Sequence, residues 1–152
     1  MVGKKKQIEI ISPKYGSILK FDSMKRYLKK KVVSKSGEAI GKTKDVLFDK
    51  SGVKGIIVAK RIFKKFYLDS FYFSSVQDKI MLSIDPAILL AGKLVFDADG
   101  KKLGKVIRVI RRDNTNNFQK LLIKRKIYSK AKEVPKIDID VMKKNIILKK
   151  VY

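Results

Sequence analysis

The sequence repeats itself, and that constrains the fold more than any other feature. Lys35-Ser36-Gly37-Glu38-Ala39-Ile40-Gly41-Lys42 recurs as Ala98-Asp99-Gly100-Lys101-Lys102-Leu103-Gly104-Lys105, an offset of 63. The match continues from Val46-Leu47 to Val109-Ile110. Gly55-Ile56-Ile57-Val58 then aligns with Lys120-Leu121-Leu122-Ile123 at 65, and Asp78-Lys79-Ile80-Met81-Leu82 with Lys144-Asn145-Ile146-Ile147-Leu148 at 66. A drift this small implies small insertions in loops, where they are tolerated best. Whatever the unit is, the chain builds it twice. Residues 24–87 form the first copy and 88–152 the second, with 1–23 an N-terminal extension carrying a candidate strand.

Each copy reads as β-structure. In the first, Val32-Val33 runs to the turn Ser36-Gly37, and strands follow at Ile40–Phe48, Gly55–Phe63, Phe66–Phe73 and Ile80–Ile84. In the second they fall at Lys93–Phe96, Leu103–Arg111, Phe118–Tyr128, Glu133–Ile137 and Ile146–Val151. The turns between them hold Gly, Asn or Asp, which tolerate positive φ. Short strands at intervals of about 8–12 residues predict a small barrel or sandwich, and a barrel protects its own edges. A single helical turn is expected before the last strand, at Val76-Gln77-Asp78 and Val141-Met142-Lys143. The fold class is therefore all-β, two small barrels in tandem with short helical turns.

Gly37-Glu38-x-Ile40-Gly41-Lys42-x-x-Asp45-Val46-x-Phe48-Asp49, followed by a Gly turn, an aliphatic strand and a closing Val76-x-x-x-Ile80, resembles the PRC-barrel domain. The second copy keeps Gly100, Leu103, Gly104, Lys105, Val109, Met142 and Ile146, but has Arg108 and Arg112 where the first has Asp45 and Asp49. The resemblance implies a family that is not enzymatic as a class. It includes the photosynthetic reaction-centre H subunit, the ribosome maturation factor RimM and small archaeal proteins, some linked to cell division. Such a fold does not by itself settle function.

The charge narrows the choice. The 152 residues hold 38 Lys and Arg against 14 Asp and Glu, a net charge of +24, while 45% are apolar. A foldable chain this basic calls for a polyanionic partner. A soluble small domain is usually given a net charge of about 2–8. A Lys-rich proteome does not account for the excess, because such proteomes raise Glu as well, and only Glu9, Glu38 and Glu133 are present. The excess rises along the chain, from +3 over 1–23 to +9 over 24–87 and +12 over 88–152. Strand alternation places Lys124, Lys126 and Tyr128 on one face and Ile123, Arg125 and Ile127 on the other. It likewise groups Lys105, Ile107, Val109 and Arg111 against Val106, Arg108, Ile110 and Arg112. The expected phosphate contacts are Lys29, Lys30, Lys31, Lys64, Lys65, Arg108, Arg111, Arg112, Lys124, Arg125 and Lys126, with Lys4–Lys6 as a further basic run. Tyr15, Tyr27, Phe63, Phe66, Tyr67 and Tyr128 beside these cations offer stacking surface, whereas Phe48, Phe71, Phe73 and Phe96 are expected to pack in the fold.

Other chemistries are excluded or unsupported. With no Cys there are no disulfides or thiolate zinc sites, and with no His there is no imidazole base, triad or ligand. Asp97-Ala98-Asp99 and Asp138-Ile139-Asp140 each place two carboxylates on one strand face; the first is expected to serve the turn before Gly100, and the second matches the position of Tyr72-Phe73-Ser74 in the first copy. Gly37-x-x-x-Gly41 and Gly100-x-x-x-Gly104 read as barrel turns and not phosphate loops, since no helix follows. No cofactor or metal is expected. No apolar run reaches the roughly 18–20 residues of a membrane span. Lys4-Lys5-Lys6 precedes Gln7-Ile8-Glu9-Ile10-Ile11, which is too short and too charged for a signal peptide. The expectation is a non-enzymatic, cytoplasmic, archaeal-type protein that binds rRNA or a ribosomal subunit through its Lys and Arg clusters, within a ribonucleoprotein that can include a protein neighbour. The alternative is a PRC-barrel adaptor between proteins, such as an archaeal cell-division scaffold, at an anionic membrane surface.

Overall fold

The structure, a computed structural model, describes residues 9, 11–14, 23–61 and 64–152. Most of the N-terminal extension, with Lys4–Lys6, Tyr15 and its candidate strand, lies outside the described residues, as do Ile62 and Phe63. The described chain is all-β, and every helical segment in it is a 3-10 turn. The first copy contributes β1 (Lys31–Val33), β2 (Ala39–Asp49), β3 (Gly52–Arg61), β4 (Lys64–Asp69), β5 (Phe73–Val76) and β6 (Lys79–Leu82). The second contributes β7 (Leu94–Phe96), β8 (Lys102–Arg111), β9 (Phe118–Lys124), β10 (Lys132–Pro135), β11 (Ile139–Met142) and β12 (Ile146–Leu148).

Two six-stranded sheets result, in the orders β4-β3-β2-β1-β6-β5 and β10-β9-β8-β7-β12-β11. The orders are identical once six is added to each label, so the repeat in sequence is a repeat in topology. Each sheet curls into a half-barrel, as two tandem small barrels require. In the second, β7 and β12 pair in parallel, with Ile146 opposite Val95, and the other strand pairs are antiparallel.

The duplication reaches individual hydrogen bonds. The Lys29 and Gly92 amides donate to the carbonyls of Thr43 and Val106 at 3.0 and 2.8 Å. The Thr43 and Val106 amides donate back to Lys30 and Lys93, both at 2.9 Å. The Ser34 and Asp97 amides donate to Glu38 and Lys101, also at 2.9 Å. Gly37 and Gly100 turn the chain at φ +88° and +82°, a conformation in which glycine carries no Cβ penalty.

Two of the expected strands are split. Phe66–Phe73 and Glu133–Ile137 are each interrupted by a 3-10 turn, Ser70–Tyr72 and Lys136–Asp138. The helical turns therefore sit one strand earlier than Val76-Gln77-Asp78 and Val141-Met142-Lys143, and each copy has six strands instead of five. In the first copy the Asp69 carboxylate accepts the Phe71 amide at 2.8 Å and caps the turn. In the second, Pro135 occupies that place; it lacks an N–H and suits a helix start.

Packing divides the chain into Met1–Val32 with Gly41–Ile80, and Val33–Ile40 with Met81–Tyr152. The β1–β2 turn thus belongs with the later unit. There the Ser36 amide donates to Asp85 at 2.9 Å, the Lys35 amide to Ile84 at 3.0 Å, and Lys93 pairs with Glu38 at 3.5 Å. In the first unit Val32, Val46, Ile56, Val58, Leu68 and Ile80 are buried. In the second, Val95, Val106, Leu121, Ile123, Val134, Ile146 and Leu148 form one core with Ala87, Leu90, Phe118 and Ile139. Burying one such aliphatic side chain is worth about 1.5–3 kcal/mol.

Candidate nucleic-acid interface

A bulge decides which basic residues share a face. β8 pairs with β9 through Lys105–Lys124 and Val106–Ile123, skips Ile107, and resumes at Arg108–Leu122, Val109–Leu121 and Ile110–Lys120. β2 skips Lys44 at the corresponding place. One extra residue reverses the alternation beyond it. Val106 and Val109 therefore both face the core, and Lys105, Arg108 and Ile110 face outward together. The expected grouping of Lys105 with Val109, against Val106 with Arg108, is incorrect for that reason.

The outer face of β8–β9 carries Lys105, Arg108, Lys120 and Lys124 around Leu122 and Ile110. Lys105 and Lys124 stand directly opposite each other. Opposed residues in an antiparallel pair have Cβ atoms about 4.5–5.5 Å apart, and like charges there are destabilising. Glu133, opposite Leu122 on β10, pairs with Lys120 at 2.8 Å. Among the described residues, Lys105, Arg108 and Lys124 have no carboxylate partner. Arg111 ends β8 and donates to the Thr115 carbonyl at 3.2 Å, and Arg112 follows it, exposed, in the β8–β9 turn.

The matching face of the first copy is not basic in the same way. Lys42 and Lys65 flank Ala59, but Asp45 lies opposite Ile57, and Asp69 opposite Gly55. Lys64 and Lys65 are exposed on β4. Lys29 is exposed at φ +60°, where the second copy has Gly92 at +89°, so a lysine occupies a left-handed position that suits glycine. Lys30 is half-buried and Lys31 is exposed.

β9 stops at Lys124, so the expected strand to Tyr128 and its alternation do not hold. The Ser129 hydroxyl donates to the Lys126 carbonyl at 2.8 Å and accepts the Lys126 amide at 3.1 Å, which turns the chain. Arg125 and Lys126 thus lie in a turn at the sheet's end, apart from the face that carries Lys124. Lys105, Lys120 and Lys42 were missed because only the cross-strand register reveals them.

The aromatic residues sort differently from expectation. Tyr27 is buried, its ring 6.4 Å from that of Phe73, so it packs and offers no stacking face. Tyr67 is half-exposed, but its ring covers Gly55 and its hydroxyl donates to the Lys54 carbonyl at 2.9 Å. Phe48 and Phe71 were expected to be packed, yet they are 64% and 84% exposed. Phe48 is the penultimate residue of β2, and Phe71 lies within the 3-10 turn Ser70–Tyr72. Tyr128 is 84% exposed, with the Lys126 ammonium 5.7 Å from its ring centre.

The acidic residues serve structure. Asp97 is fully buried and accepts the amides of Lys101, Asp99 and Tyr152 at 2.9, 3.0 and 3.3 Å. Burial pushes its carboxyl up, but those three amides and the Lys101 charge together hold it below the usual carboxylate value. It does serve the turn before Gly100. Asp138 accepts the Tyr152 hydroxyl at 2.8 Å and pairs with Lys150 at 3.0 Å. Those contacts lower its pKa and raise that of Tyr152. Among the described residues no three carboxylates gather as a metal site, and no helix is long and apolar enough to cross a membrane. Gly41 and Gly104 lie in strands, not in turns. A Cβ there would strike the Ala59 and Lys124 carbonyls. No protein-family model matches the chain, and no curated protein matches it.

Proposed function

We propose that this is a non-enzymatic tandem PRC-type barrel protein of the cytoplasm. It binds rRNA or a ribosomal subunit by charge and shape, as a ribosome-associated structural protein or assembly factor. The observation that carries the reading is the outer face of β8–β9, where Lys105 opposes Lys124 with Arg108 beside them and a single carboxylate, Glu133, paired to Lys120. A sheet face that keeps opposed lysines loses stability by doing so, and a phosphate backbone laid along it relieves the repulsion. Arg111 and Arg112 extend the contact set of this face, and the exposed Lys29, Lys31, Lys64 and Lys65 supply phosphate contacts on the first unit by itself.

Lys105→Glu separates this reading from mere surface charge. The new carboxylate faces Lys124 and raises stability by about 0.2–1 kcal/mol. RNA affinity falls about tenfold, and the slope of log affinity against log salt becomes shallower by about one. Anisotropy titrations with rRNA fragments at several salt concentrations, beside urea melts, measure both. Unchanged affinity and slope in the stabilised variant would remove the basis of the reading.

Exposed Phe48 and Phe71 on the first copy favour a second reading, the adaptor between proteins. A discrete partner that survives nuclease treatment in a pull-down, and is lost with Phe71→Ser, would support it.

A further inference from the structure

The turn between β9 and β10 is built unlike the basic face beside it. From Lys124 to Lys132 the chain holds Lys124, Arg125, Lys126, Lys130 and Lys132 and no acidic residue. At its tip Ile127 is 94% and Tyr128 84% exposed. Below them the turn closes on itself. The Ser129 amide donates to the Lys126 carbonyl at 3.1 Å, and the Ser129 hydroxyl bridges the Lys126 amide and carbonyl. The Lys124 ammonium reaches the Ile127 carbonyl at 3.4 Å. The first copy repeats the pattern in sequence, Arg61-Ile62-Phe63-Lys64-Lys65 against Lys126-Ile127-Tyr128-Ser129-Lys130, an offset of 65.

From this tip we infer a lipid-binding site, in which Ile127 and Tyr128 enter the surface of an anionic bilayer and Arg125, Lys126 and Lys130 hold its headgroup phosphates. Each element fits that occupant. A branched aliphatic side chain gains by leaving water for acyl chains. A tyrosine suits the boundary, with its ring buried and its hydroxyl wet. Lysine stems run along the apolar layer while their ammonium groups stay at the headgroups, and each cation near an anionic leaflet adds attraction. Backbone entering such a layer must satisfy its own polar groups, and the turn does so at the Lys126 amide and carbonyl, the Ser129 amide and the Ile127 carbonyl. RNA would use the cations and the ring, but phosphates and bases have little use for Ile127. The site goes beyond the RNA reading and uses the tip, not the β8–β9 face.

The chain has no Trp, so Tyr128→Trp in the full protein places one fluorophore at the tip. Phe71→Trp is the control, because Phe71 is exposed to the same 84% but lies in the turn capped by Asp69, in a stretch with no Lys or Arg between Lys65 and Lys79. Nuclease-treated protein is mixed with vesicles of equal parts phosphatidylglycerol and phosphatidylcholine, or of phosphatidylcholine alone. The Tyr128→Trp emission shifts to the blue with the anionic vesicles and is quenched by lipids brominated near the headgroup. The Phe71→Trp emission does not move. Ile127→Ser with Tyr128→Ser lowers co-flotation with the anionic vesicles about tenfold or more, leaving the thermal melt unchanged. No shift at either position overturns the inference, as does an equal shift at both. So does a Tyr128→Trp response to RNA alone, which would make the tip a base-stacking element. Loss of RNA binding by Lys105→Glu with vesicle binding intact separates the two sites.

Discussion

Thr43 is the residue whose replacement should most clearly stabilise the protein. It is 1% exposed in β2, opposite the fully buried Val58. Its backbone is satisfied on both sides, by Lys30 and Lys29, but among the described residues its hydroxyl is the buried side-chain polar atom with no hydrogen-bond partner. The second copy holds Val106 at this position, 2% exposed and opposite Ile123, with the same pair of backbone bonds. Valine therefore fits this backbone, and it has the β-branched shape of threonine. A buried hydroxyl without a partner costs about 1–3 kcal/mol, and a methyl in its place adds roughly 0.8 kcal/mol of apolar burial. Local relaxation recovers part of the first figure in the wild type, so Thr43→Val gains about 1–2 kcal/mol. For a chain this long that raises the melting temperature by roughly 2–8 °C. In urea the midpoint moves up by roughly 0.5–1 M at constant slope. Val106→Thr is the mirror experiment and loses a similar amount. A Thr43→Val midpoint equal to or below wild type, with the slope unchanged, would refute the reasoning.

Two further outcomes concern Gly104 and Asp97 in the second copy. Gly104→Ala places a Cβ against the Lys124 carbonyl at φ +154°, and overpacking of this kind destabilises by about 1–3 kcal/mol; a urea melt reads it, and a neutral result would show that β8 can move away from β9. Asp97 holds three amides with its carboxyl lowered, so its contribution is present above the ordinary carboxylate value of 3.8 and is lost as pH falls through the lower folded value. Asp97→Asn lowers stability at neutral pH and flattens the acid limb of the stability–pH curve; melts from pH 7 down to pH 2 should show the two proteins converging.

What could be read from sequence was local. Gly37 and Gly100, the Asp97 turn and the apolar alternation of Val32, Ile40, Val46 and Ile56 announce the β-units, because each depends on neighbours a few residues away. The 63-residue offset then extends one copy's reading to the other. The Ile107 and Lys44 bulges were not legible, since nothing in their identity marks an extra residue, and each reverses the facing of everything after it. The break at Asp69 had a signal in retrospect, an N-cap acid two residues before Phe71. The turn at Ser129 depends on one hydroxyl bridging the Lys126 amide and carbonyl. Lys105 opposite Lys124 is a pairing across 19 residues of chain, and strand register alone reveals it.

The two copies hold their unfavourable interactions in different places. The first has an unsatisfied hydroxyl at Thr43, a left-handed lysine at Lys29 and exposed rings at Phe48 and Phe71. At the corresponding positions the second has Val106, Gly92 and, for Phe48, Arg111. Its interior and turns are better satisfied, and Asp97 holds three amides where the first copy has Ser34. The second copy's unfavourable interactions are charges on its surface: Arg108 and Arg112 in place of Asp45 and Asp49, and opposed lysines on β8 and β9. Repulsion of that kind is relieved by salt or by a polyanion, whereas a buried hydroxyl without a partner is not. The second copy thus combines a better-satisfied interior with more surface charge, the arrangement that the proposed anionic partner calls for.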